Sequence, residues 1–177
     1  GATAVFGPQK GATAEMIARL DKALAHFAEI IHRDLELDVL HLEGGGAAGG
    51  MGAGLYAFCG AKLRPGIEIV TDALHLADIV ADADLVITGE GRIDSQTIHG
   101  KVPVGVARVA KRYNLPVIAI AGSLTADVGV VHEHGLDAVF SVIYSICTLD
   151  EALENAAENV RMTARNVAAV LKMGQVL

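Results

Sequence analysis

The run from Thr88 to Lys101, Thr-Gly-Glu-Gly-Arg-Ile-Asp-Ser-Gln-Thr-Ile-His-Gly-Lys, gathers more reactive side chains than any other stretch of the sequence. Lys101 and Arg92 are cations able to neutralise phosphate oxygens. Gly89 and Gly91 leave the backbone open to a ligand. Asp94 and Glu90 can orient Mg2+ or accept a proton from an attacking hydroxyl. Ser95, Gln96 and Thr97 add neutral hydrogen bonds. Phosphoryl transfer asks for this mixture, because it is catalysed mainly by positioning and charge stabilisation. Asp94, Glu90 and Lys101 are therefore the catalytic candidates, and Asp94 is also the candidate for Mg2+. Gly89, Gly91, Arg92, Ser95, Gln96 and Thr97 are candidates for substrate or phosphate contact. A local ion pair between Glu90 and Arg92 that braces the loop is the competing explanation for those two.

Weaker candidates lie upstream. Gly45 and Gly46 belong to a glycine run from Gly44 to Gly54 that contains Gly-x-Gly-x-x-Gly through Gly49. The run lacks the strand-turn-helix setting of a dinucleotide fingerprint, and close helix packing or a hinge explains it as readily as phosphate contact. Lys10, in the turn Gly7-Pro8-Gln9-Lys10-Gly11, is a further phosphate candidate whose plain reading is a solvated turn lysine. The seven histidines show no ligand spacing for structural zinc. His99 sits in the reactive run, where ligand contact and simple exposure are equally open. Cys59 and Cys147, in apolar surroundings, read as small core residues without a disulfide. No Gly-x-Ser-x-Gly elbow supports a serine hydrolase.

The elements that must position the run follow from hydrophobic periodicity. Leu85–Thr88, Pro116–Ala121 and Ala138–Val142 read as buried strands, with helices at about 103–113, 126–134 and 149–172 between and after them. That alternation predicts a Rossmann- or flavodoxin-like parallel sheet with helices on both faces, and ligands beyond the carboxyl ends of its strands. The chemistry then falls in a loop between the first strand and its helix. Residues 1–80 lack the rhythm: Thr13 caps a long amphipathic helix ending near 34–37, Val39–Leu42 is a short apolar strand candidate, and 67–80 reads as one helix. The expected division is 1–80, part of a second, helix-rich α/β domain, and 81–177, the parallel domain carrying the reactive loop. The chain opens at Gly1 without Met, which reads as a start inside a larger protein.

Composition narrows the classes. The 177 residues are 52% hydrophobic and 4% aromatic, with 20 Gly against 4 Pro and a formal charge of −7. Mean hydropathy is +0.43, yet no apolar run approaches the roughly 20 residues of a spanning helix. The expectation is a cytoplasmic protein with no membrane partner. Net negative charge without a Lys/Arg cluster argues against nucleic acid.

Several words of the sequence resemble the bacterial glycerate kinase family. These are Phe6-Gly-Pro-Gln-Lys-Gly11, Gly45-Gly-Ala-Ala-Gly-Gly-Met-Gly52, Thr88-Gly-Glu-Gly-Arg-Ile-Asp-Ser-Gln-Thr97, Gly100-Lys-Val-Pro103, Ala121-Gly-Ser123 and Ser145-Ile-Cys-Thr-Leu-Asp-Glu-Ala152. The resemblance covers essentially the whole chain, in order. It implies an ATP- and Mg2+-dependent kinase that converts D-glycerate to 2-phosphoglycerate in two α/β domains, with this chain as the C-terminal half. The family's opening Asp-Ser-x-Lys strand end, its Asp-Gly-Gly-Glu-Gly motif and its Asp-Val-x-Asn-Pro segment are absent here, so the resemblance leaves the catalytic base unplaced. Two other readings compete: a nucleotide- or dinucleotide-binding domain of a dehydrogenase-like enzyme, and a non-catalytic fragment. The first requires an acidic residue at the end of the strand over 117–121, where Ala121-Gly-Ser123 stands instead.

Overall fold

The computed structural model describes residues 1–174, which form two compact units, Gly1–Pro65 and a second beginning at Gly66. The first unit holds α1 (Ala2–Phe6), a 3-10 turn (Pro8–Lys10), α2 (Ala14–Leu35) and α3 (Ala47–Cys59). Thr13 caps α2 by accepting from the Met16 amide at 3.3 Å, and Glu36 ends it in a left-handed conformation. Its small core gathers Ala28, Ile31, Val39 and Ala53. Val39–Leu42, a strand candidate by composition, is a turn closed by Leu42 N–H on the Val39 carbonyl at 3.3 Å. No strand among the described residues of this unit is there to pair with it. Within α3, Ala48, Gly49 and Gly50 are left-handed, so regular helix starts only after Gly50.

The second unit is built on three parallel strands in the order β1 (Val86–Ile93), β2 (Val117–Leu124), β3 (Ala138–Ser141). Strand β1 runs in register with β2 from Val86 opposite Val117 to Ile93 opposite Leu124. Helix α6 (Val102–Lys111) crosses between them, with Pro103 in its first turn, where a missing N–H costs nothing. Val104, Ala107 and Ala110 of α6 pack with Val117, Ala119 and Ala121 of β2 in the main core. Ile118, on the alternate face of β2, is also buried, and α8 (Ala156–Gly174) packs on that strand. Helices therefore cover both faces of a parallel sheet, as the alternation predicts.

Three boundaries differ from the sequence expectation. Residues 66–80 form two helices, α4 (Gly66–Ala73) and α5 (Leu76–Val80), broken at a left-handed His75. Leu76, Ala77 and Val80 pack into the core of the sheet, so the units divide at Pro65/Gly66 where the sequence suggested 80/81. The last helix is likewise two, α7 (Leu149–Glu154) and α8, parted at Asn155. Thr148 and Glu151 cap α7 reciprocally. Cys59 and Cys147 are free and exposed, and neither joins a core. Among the described residues no helix is long and apolar enough to cross a membrane.

Candidate active site

Strand β1 continues through the glycines to Ile93, so the first half of the reactive run is sheet and not loop. Pairing explains one glycine: a Cβ on Gly89 would drive into the Ile120 carbonyl of β2. Gly91 has open space where its side chain would be, and stays accessible. Past Ile93 the chain makes a 3-10 turn over Ser95–His99, closed by Gly100 in a left-handed conformation. Lys101 then stands at the N-cap position of α6, its side chain making no cap bond.

The turn is a capping box whose members are the predicted chemical residues. Asp94 accepts from the Gln96 amide at 3.0 Å, and its own amide donates to the Thr97 hydroxyl at 3.2 Å. Thr97 is fully buried, and its hydroxyl donates to Glu90 Oε1 at 2.7 Å. Thr97, expected to touch substrate, has no surface to offer one and instead fixes Glu90. Lys101 Nζ lies 2.9 Å from Asp94 Oδ1, and Arg92 Nε lies 3.7 Å from Asp94 Oδ2. Arg92 therefore leans on Asp94 in place of the Glu90 pairing that competed in the sequence reading. The hydrogen bond from Lys101 leads the causes that hold the Asp94 carboxyl below the usual carboxylate range, aided by the Gln96 amide and the Arg92 charge. Asp94 shows 18% of its side chain, Lys101 38% and Arg92 65%, so the cations present outward from a sheltered acid.

The structure brings Glu90, Arg92, Asp94, Ser95, Gln96, Thr97 and Lys101 to the carboxyl end of β1, where α/β sheets bind ligands. His99 is exposed at the end of the turn. Lys10, Gly45 and Gly46 belong to the other unit. There Gly46 packs against Ala2, a fit that by itself calls for glycine. The Gly44–Gly49 run enters a left-handed turn without a preceding strand, which removes the context a dinucleotide fingerprint needs.

Sequence reasoning missed Thr125 and Asp127. The Thr125 amide donates to the Ile93 carbonyl at 3.2 Å, and its hydroxyl makes a short hydrogen bond to Asp127 Oδ1. The available signal was a Thr-x-Asp step just past a strand end, the composition of a side-chain-closed turn. A cleft of about 260 Å³ touched by Thr71, His75, Asp78 and Arg112 lies by the C-terminal end of α6, away from this network. Among the described residues no group of three or more His, Cys, Asp or Glu is placed to hold a metal ion.

A family model described as the glycerate kinase family matches residues 1–172. The chain is 63% identical over 174 residues to a protein of Escherichia coli (strain K12) named glycerate 2-kinase, covering 98% of this chain and 46% of that protein. A glycerate kinase of Haemophilus influenzae is 57% identical over 171 residues, covering 97% and 45%. A solved structure from Salmonella typhimurium LT2, provisionally named glycerate kinase 2, is 77% identical with a TM-score of 0.72, covering 100% of this chain and 46% of that one. The chain thus spans about half the length of the curated relatives it matches.

Proposed function

Because this chain belongs to the glycerate kinase family, we propose that the whole protein transfers the terminal phosphoryl group of ATP to D-glycerate, yielding 2-phosphoglycerate. The observation that carries the reading is the network at the end of β1, in which one sheltered carboxylate, Asp94, holds two outward-facing cations, Lys101 and Arg92. Those cations are the groups that neutralise the charge of a transferring phosphoryl group, and Asp94 keeps them oriented between turnovers. Glu90, fixed by Thr97, is placed to accept a proton or a hydrogen bond at the same strand end. Gly91, Ser95 and Gln96 offer backbone and side-chain donors beside it. Lys10, Gly45 and Gly46, in the other unit, remain proposed phosphate contacts on sequence grounds.

Mg2+ held in company with phosphates needs one or two protein carboxylates, and Glu90 and Asp94, joined by a Thr97 hydroxyl that donates to Glu90 and accepts from the Asp94 amide, fit that donor set. When bound, it would neutralise charge on the transferring group. Nothing favours the dehydrogenase reading once the glycine run lacks its strand. The test is a coupled assay of ADP release by the whole protein with Mg-ATP and D-glycerate, with phosphorus NMR to locate the new ester. Absence of ADP release, together with turnover of a hydroxy acid with NAD, overturns the reading.

A further inference from the structure

At the carboxyl end of the sheet Ile93 of β1 pairs with Leu124 of β2, and both turn into the core, Ile93 fully buried. One residue back on each strand, Arg92 pairs with Ser123. Side chains alternate along a strand and paired residues share a face. Arg92 and Ser123 therefore stand side by side, turned away from that core, on backbones about 4.8 Å apart. Both are exposed. The residues before them, Gly91 and Gly122, carry no side chain to shield the pair, and Gly122 has room for none, since a Cβ there would strike the Gly91 carbonyl.

The two cations of the site are not equivalent. Lys101 spends a donor on Asp94 at 2.9 Å. Arg92 meets Asp94 through Nε at 3.7 Å, an ion pair beyond hydrogen-bond reach. Among the described residues neither the Arg92 guanidinium nor the Ser123 hydroxyl has a hydrogen-bond partner. We infer that Arg92 and Ser123 form an oxyanion subsite of the active site. The guanidinium supplies a planar fork, and the hydroxyl adds a donor from the neighbouring strand to a phosphate or carboxylate group lying across the ends of β1 and β2. Asp94 sets the direction of the fork without occupying it. Ser123 thereby joins the site as an anion-contacting residue. The identity of the anion rests on the kinase reading above: it is the phosphoryl group in transfer or the carboxylate of the acceptor.

The test uses Ser123→Ala, Ser123→Thr, Arg92→Ala and the Arg92→Ala/Ser123→Ala pair in the whole protein. Ser123→Ala should lower kcat/KM about tenfold, the worth of one hydrogen bond to a charged group, and Ser123→Thr should restore most of it. Thermal unfolding of Ser123→Ala should match wild type, because an exposed hydroxyl without a partner braces nothing. The double variant should lose less than the product of the single losses, since both side chains hold one anion. A raised KM for D-glycerate with an unchanged KM for ATP assigns the acceptor's carboxylate; a lowered kcat with both KM values unchanged assigns the transferring phosphoryl group. Wild-type kcat/KM in Ser123→Ala, a Ser123→Thr protein no better than Ser123→Ala, or losses that multiply fully overturns the subsite. Should the wild-type protein fail to phosphorylate glycerate, the Arg92 Nε–H resonance is followed by NMR during titration with inorganic phosphate. A saturable shift, weakened about tenfold in Ser123→Ala, sustains the subsite and overturns the proposed function alone; a silent resonance overturns both.

Discussion

Replacing Thr97 by Val tests the network at its buried joint. The substitution keeps a branched side chain of similar size and deletes the hydroxyl. Two hydrogen bonds go with it, the donation to Glu90 Oε1 at 2.7 Å and the acceptance from the Asp94 amide at 3.2 Å. A hydrogen bond to a charged acceptor contributes about 1.5–3 kcal/mol, and an unpaired buried N–H costs about 1–3 kcal/mol. Glu90 is half-buried and regains some hydration, and the valine methyl recovers some apolar burial. The expected net loss is about 2–3 kcal/mol. Thr97→Ser is the control: it keeps the hydroxyl and loses one methyl, at about 1 kcal/mol. For a chain of this size each kcal/mol moves Tm by about 2–4 °C. Thermal unfolding of the sheet-bearing unit should therefore rank wild type above Thr97→Ser and Thr97→Ser above Thr97→Val, with Val lowered by about 4–12 °C. A Thr97→Val protein as stable as Thr97→Ser would refute the reasoning, since packing alone would then account for the buried threonine.

Three further outcomes follow from the same geometry. In the whole protein, Lys101→Ala should lower kcat/KM by about 10²-fold or more, and Asp94→Asn should lower kcat comparably, with each variant's rate corrected for its folded fraction; wild-type turnover from both would remove the network from the active site. Asp94 has a depressed folded pKa, so its stabilising contribution is present above the ordinary carboxylate value of about 4 and is lost as pH falls through the lowered folded value. Acid titration of stability should consequently show a shallower fall below pH 4 in Asp94→Asn than in wild type, and parallel curves would contradict the pairing. Residues 1–177 alone should show no appreciable kinase activity, because relatives of this family are about twice as long; near-parental turnover by the purified chain would make Glu90 or Asp94 the catalytic base.

Periodicity made the parallel sheet legible, and residue chemistry picked out the reactive run. Both readings used signals that are local in sequence. Where β1 ends was not legible, because Gly89, Glu90 and Gly91 have poor strand propensity and only pairing with Ile120 and Ala121 keeps them extended. The helix breaks at His75 and Asn155 were hidden because neither carries the Gly or Pro mark of a stop: His75 turns left-handed, and Asn155 closes α7 with its side-chain amide on the Glu151 carbonyl at 2.9 Å. Thr97 was read as a donor to ligand because its type says hydroxyl, while its burial is a property of the fold. Cys59 and Cys147 were misread by the reverse error, apolar neighbours in sequence being taken for apolar neighbours in space.

The register that carries β1 through its glycines also governs when the site comes into being. Glu90 is held opposite Ala121 and Ile93 opposite Leu124, partners reached only after α6 has crossed over. Parallel pairing of this kind has a high sequence separation and forms slowly, since the intervening chain must be ordered first. A polypeptide emerging from the ribosome thus carries the complete reactive run well before it can shape it, and gains the site only once β2 has been synthesised and docked. The same linkage works in reverse: a protease cannot pry open the strand half of the run, Thr88–Ile93, without unzipping β1 from β2, so cleavage there would report the unfolding of the sheet itself.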